Sequence, residues 1–93
     1  MNSRGEMRFR QIGAKLAYYR TIKNMSQADL AKAASISHST LSRIERGDYN
    51  AHLSVEMLFL LADAMELEAM EFLRFSEEDK KLWGGMANDY NSF

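Results

Sequence analysis

Two short helical segments separated by only three residues limit the folds open to this sequence more than any other feature. Ser26 and Ser37 are candidate N-cap residues, and each is flanked by two apolar residues at the spacing of a hydrophobic staple. The pattern predicts a helix over residues 27–34 and a second helix over residues 38–46, which Gly47 ends. Because the short linker cannot run back along either helix, the two helices must cross steeply.

Helical periodicity predicts three more helices around this pair. The first covers residues 8–22, whereas residues 1–7 lack the pattern and are expected to form a frayed arm. Ser54 is the N-cap of a fourth helix, and a fifth helix is expected near residues 69–74. The apolar stripe of the first helix consists of Phe9, Ile12, Leu16 and Tyr19.

These segments together predict an all-α fold with five helices. A chain of 93 residues is long enough for one domain, which we place at residues 8–75 with the tightly linked helix pair at 27–46. Residues 76–93 then form a short C-terminal extension that can hold a further short helix. It carries apolar residues at the spacing of one helix face: Trp83, Met86, Tyr90 and Phe93.

The composition excludes several classes of site. The chain has no cysteine, and its two histidines, His38 and His52, have no further ligands at suitable spacing, so we expect no metal. Nucleophile–histidine signatures, phosphate-binding loops and spaced carboxylate pairs are also missing, which predicts neither an enzyme nor a cofactor. The longest apolar run, residues 57–62, is far shorter than the about 20 residues of a membrane span. With no secretory signal at the N-terminus, we expect a cytoplasmic protein away from the membrane.

The charge is divided unequally between the two halves of the chain. Residues 1–46 hold nine basic and three acidic side chains, whereas residues 47–93 hold three basic and ten acidic ones. Such segregation suggests that the first half meets a polyanion. Charge alone leaves open the alternative of a chance distribution with a solvated acidic face.

The sequence carries the motif Ser26-Gln27-Ala28-Asp29-Leu30-Ala31, which is followed by ISHSTLSRIERG at residues 36–47. On these residues the sequence from Ile12 to Leu73 resembles the phage-repressor-like helix-turn-helix family, also called the Cro or XRE type. The resemblance implies a lambda-repressor-like DNA-binding domain. Two departures from the family pattern are Ser35, which stands where a glycine is usual in the turn, and the missing proline before the fourth helix. The family pattern is matched by Gln27, Leu30, Ala31, Leu41, Ile44, Glu45 and Gly47.

The exposed face of helix 38–46 is the candidate DNA-reading surface. Its residues without a core role are polar or basic, which suits a helix in the major groove. Arg43 can contact guanine O6 and N7 with two hydrogen bonds, although a phosphate contact is an alternative. The predicted base-reading residues are His38, Ser39, Ser42 and Arg43.

Other residues are expected to contact the DNA backbone or to hold the fold. The starts of the two motif helices, at Gln27 and Ser37, point backbone N–H groups outward and suit phosphates. By the resemblance, Arg20 and Glu45 form a structural ion pair between the first helix and the DNA-reading helix. The remaining predicted phosphate contacts are Lys15, Lys23, Lys32 and Arg46.

The sequence therefore predicts a sequence-specific transcriptional regulator that binds double-stranded DNA, with a repressor favoured over an activator. An alternative is an antitoxin or protein-interaction adaptor whose acidic C-terminal half docks a basic partner. A homodimer is expected, because one short helix reads only a few base pairs. Residues 76–93 are predicted to contribute to self-association, with folding back onto the fourth and fifth helices as the alternative.

Overall fold

The computed structural model describes residues 4–75, which form an all-helical domain. Within this range there are four α-helices and two single turns of 3-10 helix, and no strand. The α-helices are α1 (Arg4–Ile22), α2 (Gln27–Ala34), α3 (His38–Glu45) and α4 (Val55–Ala64). The first 3-10 turn covers Tyr49–Ala51 and the second covers Ala69–Phe72.

The first and the fifth of the predicted helices differ from the structure, and α3 ends at Glu45, one residue earlier than predicted. The first helix begins at Arg4, so residues 4–7 are helical and not a frayed arm, and Met7 is fully buried. The expected fifth helix is only the second 3-10 turn, which gives four α-helices and not five. Its N-cap, Glu68, makes no side-chain capping hydrogen bond, and the turn ends after Phe72 has entered the core. The predictions for residues 76–93 lie outside the described residues.

Serine side chains begin α2, α3 and α4. The hydroxyl oxygens of Ser26, Ser37 and Ser54 each accept a hydrogen bond at 3.0 Å from the backbone N–H three residues later. At α2 the carboxylate of Asp29 also accepts from the Ser26 N–H, which completes a capping box. These contacts lower the pKa of Asp29, because hydrogen bonds from Ser26 stabilise the charged carboxylate. The caps confirm the helix starts predicted from the sequence.

The turn between α2 and α3 requires a left-handed residue. Ser35 occupies this position with φ 61° and ψ 38°, and its N–H bonds back to Lys32. The next N–H, that of Ile36, bonds to the carbonyl oxygen of Ala31. Such a pattern closes a helix and turns the chain sharply, but a residue with a Cβ costs roughly 1 kcal/mol there.

The core lies where the four helices meet. Helix α2 packs against both α3 and α4, while α1 packs against α3 and the two 3-10 turns. Phe72 anchors the second 3-10 turn with no exposed surface. The other buried members of this main core are Phe9, Leu16, Leu30, Ala31, Ala34, Leu41, Ile44, Leu58, Leu61, Ala62 and Met65.

A glycine permits the closest approach between helices. A Cβ placed on Gly13, in the middle of α1, would overlap the backbone carbonyl oxygen of Ile44 in α3. The backbone of α1 therefore lies directly against the end of α3. Gly47, which follows α3, has φ +80°, a conformation that strongly favours glycine. A Cβ on Gly47 would also lie too close to the Arg10 side chain of α1, so both glycines allow α1 and α3 to lie close together.

Candidate nucleic-acid interface

The candidate interface is the solvent-facing side of α3. Leu41 and Ile44 turn the opposite side of this helix into the core, where both are fully buried. His38 and Ser39 are exposed, and Ser42 and Arg43 are partly exposed. The structure therefore brings all four predicted base-reading side chains to accessible positions of one short helix. On its opposite side, this helix lies against α1 at Gly13.

Arg43 is not free in this structure but forms an ion pair with Asp48. Its Nε donates to Asp48 Oδ2 at 2.9 Å, and both side chains remain more than a third exposed. Asp48 Oδ1 accepts a further hydrogen bond at 3.0 Å from the Asn50 N–H. The Arg43 guanidinium, followed by this backbone bond, lowers the pKa of Asp48. Sequence reasoning missed Asp48, although an acid five residues after an arginine, just past a helix end, was a visible signal.

A continuous chain of polar contacts connects α1, α2 and α3. Arg20 Nε donates to Glu45 Oε2 at 2.8 Å and Arg20 Nη2 donates to Glu45 Oε1 at 3.1 Å, with a third bond from Nη1 to the Met25 carbonyl. The bond to Glu45 raises the pKa of Arg20. Gln27 Nε2 also donates to Glu45 Oε1, and Gln27 Oε1 contacts His38 Nε2 at 3.1 Å.

The Gln27 side chain makes contacts within the protein that the sequence did not predict. The sequence suggested a phosphate contact, but in the structure the Gln27 amide joins Glu45 to His38. Its donor and acceptor atoms are therefore both engaged within the protein. Since His38 opens α3, the amide also positions the first side chain of the candidate DNA-reading face. The link between Gln27 and His38 was not foreseen from the sequence.

The predicted phosphate-contacting residues have different surroundings. Lys23, Lys32 and Arg46 are exposed, and Arg46 Nη1 donates to Ser42 Oγ at 2.7 Å. Ser37 uses its hydroxyl to cap α3 and to donate to Thr40 Oγ1. Lys15 is only 8% exposed, so its burial counts against the expected phosphate contact.

Two further findings concern residues 4–75. No three acidic or histidine side chains there lie close enough to hold a metal ion. None of the helices in that range has the length and apolar character needed to cross a bilayer.

Comparisons with known proteins agree with this geometry. The family model for the helix-turn-helix matches residues 16–72, which include all of α2, α3 and α4. An HTH-type transcriptional regulator of Methanocaldococcus jannaschii is 31% identical over 65 residues, which cover 70% of this chain and 96% of that protein. The chain therefore belongs to the Cro/C1-type helix-turn-helix family of DNA-binding transcription regulators.

Proposed function

We propose that this protein is a sequence-specific repressor that places α3 in the major groove of its operator. The observation that carries the proposal is the exposed polar face of α3, held rigidly from behind. Gly13 allows the backbone of α1 to contact the end of α3, and the Arg20 guanidinium donates to both carboxylate oxygens of Glu45. A helix that enters a groove as a rigid unit loses little conformational freedom on binding, which favours affinity.

Base reading is assigned to the accessible side chains of α3. On binding DNA, Arg43 exchanges its hydrogen bond to Asp48 for two hydrogen bonds to a guanine. The O6 and N7 atoms of guanine accept from two N–H groups of the guanidinium. Until DNA is bound, the carboxylate keeps Arg43 in one orientation and shields it from unselective phosphate contacts. His38, Ser39 and Ser42 contact neighbouring base edges or the flanking backbone.

Backbone binding is assigned to the exposed cations and to the starts of the motif helices. Lys23, Lys32 and Arg46 supply attraction for phosphates but carry no sequence information. At the starts of α2 and α3, beside Gln27 and Ser37, backbone N–H groups suit individual phosphates. Each phosphate neutralised in this way makes the affinity more dependent on salt.

A homodimer is part of the proposal, and α4 offers the surface for it. An apolar groove runs between α4 and the second 3-10 turn, and the large side chains at its rim are exposed to solvent: Val55, Phe59, Met70 and Leu73. We call this surface the α4 groove. A second copy would cover it and present two copies of α3 to half-sites about one helical turn apart.

In vitro selection from a random duplex library tests the proposal. We expect enrichment of one sequence with twofold symmetry, and an affinity for it that falls steeply as salt rises. An antitoxin or adaptor acting through the acidic half, where Glu56, Asp63, Glu66 and Glu68 are exposed, would instead enrich no sequence. Weak binding to every duplex at low salt would overturn the proposed function.

A further inference from the structure

The Glu45 carboxylate determines which end of the Gln27 amide points toward it. Both of its oxygens accept hydrogen bonds from Arg20, and the Glu45 side chain is only 5% exposed. A carboxylate paired with an arginine in this way is ionised and can only accept hydrogen bonds. The Gln27 atom that lies 2.9 Å from Glu45 Oε1 is therefore the donating Nε2. A flipped amide would place one oxygen against another and lose this hydrogen bond.

The orientation of the Gln27 amide in turn decides which ring nitrogen of His38 carries a hydrogen. With its Nε2 on Glu45, Gln27 places its amide oxygen 3.1 Å from His38 Nε2. An amide oxygen can only accept, so the ring nitrogen that faces it must donate. These contacts select the Nε2–H form of the neutral imidazole, because the Nδ1–H form would place two acceptors against each other.

The second ring nitrogen of His38, Nδ1, is left for a partner outside the domain. A neutral imidazole carries a single N–H, so a ring with its hydrogen on Nε2 has an acceptor at Nδ1. Within residues 4–75 no hydrogen bond to Nδ1 is formed, and His38 is exposed at the first position of α3. His38 therefore contributes a hydrogen-bond acceptor to the candidate DNA-reading face.

We propose that Gln27 is a positioning residue that makes His38 read an exocyclic amino group of a base through Nδ1. The proposal rests on the proposed function, in which α3 lies in the major groove. There the amino groups of adenine N6 and cytosine N4 are donors, whereas guanine O6 and thymine O4 are acceptors. An acceptor on the protein thus favours adenine or cytosine over guanine or thymine. The net contribution of one hydrogen bond corresponds to a preference of about fivefold.

The position of the hydrogen on His38 can be measured by NMR in the free, full-length protein. The ring nitrogen that carries the hydrogen differs strongly in chemical shift from the bare one. At about pH 8.5, where histidine is ordinarily neutral, we expect His38 in the Nε2–H form. Gln27→Met keeps the length of the side chain but removes the amide, so it should move the His38 shifts toward those of the exposed His52. An Nδ1–H form in the wild type, or unchanged shifts in Gln27→Met, would overturn the proposal.

In vitro selection of duplexes with the wild type and three variants tests the base preference. We expect adenine or cytosine at one position of the sequence enriched by the wild type, and His38→Ala identifies this position by removing its preference. His38→Lys, whose side chain can only donate, should shift the same position to guanine or thymine. Gln27→Met should lower the amino-base preference at least about threefold, because the imidazole is then free to place its hydrogen on either nitrogen. The guanine position assigned to Arg43 is the control and should stay unchanged in all three variants.

The outcomes of the selection separate this proposal from the proposed function. A wild-type preference for guanine or thymine at the His38 position, or an amino-base preference that survives in Gln27→Met, would contradict reading through Nδ1. A phosphate contact of His38 would also contradict it, and His38→Ala would then weaken binding to all duplexes without relaxing any position. If the proposed function itself fails, the wild type enriches no sequence at all, and base reading by His38 is excluded with it.

Discussion

Two serines at the tight turn of the motif have different backbone conformations. Ser35 has a positive φ of 61°, a region where a Cβ is unfavourable. Ser37 has an extended backbone with φ −74°, and its hydroxyl accepts a hydrogen bond from the Thr40 N–H. The same residue type is therefore strained at one position and stabilising two residues later.

We expect substitutions at these serines to change stability in opposite directions. Ser35→Gly should raise the free energy of unfolding by about 0.5–1 kcal/mol, since the relief of strain exceeds the added flexibility of the unfolded chain. Ser37→Ala should lower it by about 1 kcal/mol, because the cap of α3 is lost. Urea denaturation of both variants measures the two effects. Changes of the same sign would mean that the backbone at the turn differs from this description.

Gly13 shows how one missing side chain can set the distance between two helices. In an exposed helix interior, replacing glycine by alanine stabilises the fold by about 1 kcal/mol. Here we expect Gly13→Ala to destabilise the protein by about 1–3 kcal/mol, because the new methyl group overlaps the Ile44 carbonyl oxygen. Thermal unfolding tests the sign directly, and an increased melting temperature would show that α1 and α3 are not in such close contact.

At the scale of elements, the polar chain from Arg20 to His38 joins the three N-terminal helices. We expect Arg20→Ala to cost about 2–3 kcal/mol, because Glu45, whose side chain is only 5% exposed, would lose its charged partner. That value is below the about 3–5 kcal/mol of a fully buried pair, since the Arg20 side chain is 17% exposed.

The pair between Arg74 and Glu71 provides a matched control for Arg20→Ala. Its closest atoms are 3.5 Å apart, and the Arg74 side chain is 66% exposed. Arg74→Ala should therefore change the free energy of unfolding by less than about 0.5 kcal/mol. Chemical denaturation of both variants under the same conditions gives the comparison. Equal losses would indicate that the Arg20–Glu45 pair contributes no more than a surface contact.

The helix pair of the motif could be predicted from sequence because its signals are local. Caps and staples lie within a few residues of the helix ends, so Ser26 and Ser37 predicted α2 and α3 correctly. The burial of Met7 could not be predicted, since Met7 lies off the apolar stripe of α1. The link between Gln27 and His38 could not be predicted either, because it joins residues eleven positions apart and forms only once α2 and α3 have crossed.

At the scale of the whole molecule, the α4 groove should decide the oligomeric state. We expect Phe59→Glu to weaken dimerisation at least about tenfold, since an aromatic residue in an interface often contributes more than 1 kcal/mol. Ile22→Glu is the control, because Ile22 is similarly exposed at 54% but lies on α1. Sedimentation over a range of concentrations compares both variants with the wild type. A dimer that persists in Phe59→Glu but is lost in Ile22→Glu would place the interface on α1.

The most direct test of DNA reading by α3 compares the affinities of one arginine variant and one lysine variant for two duplexes. The selected sequence and a random duplex of equal length are titrated with wild type, Arg43→Ala and Lys23→Ala. Arg43→Ala should lose about 1–3 kcal/mol on the selected sequence and little on the random duplex, whereas Lys23→Ala should weaken both alike. Equal losses for Arg43→Ala on both duplexes would contradict base reading by α3.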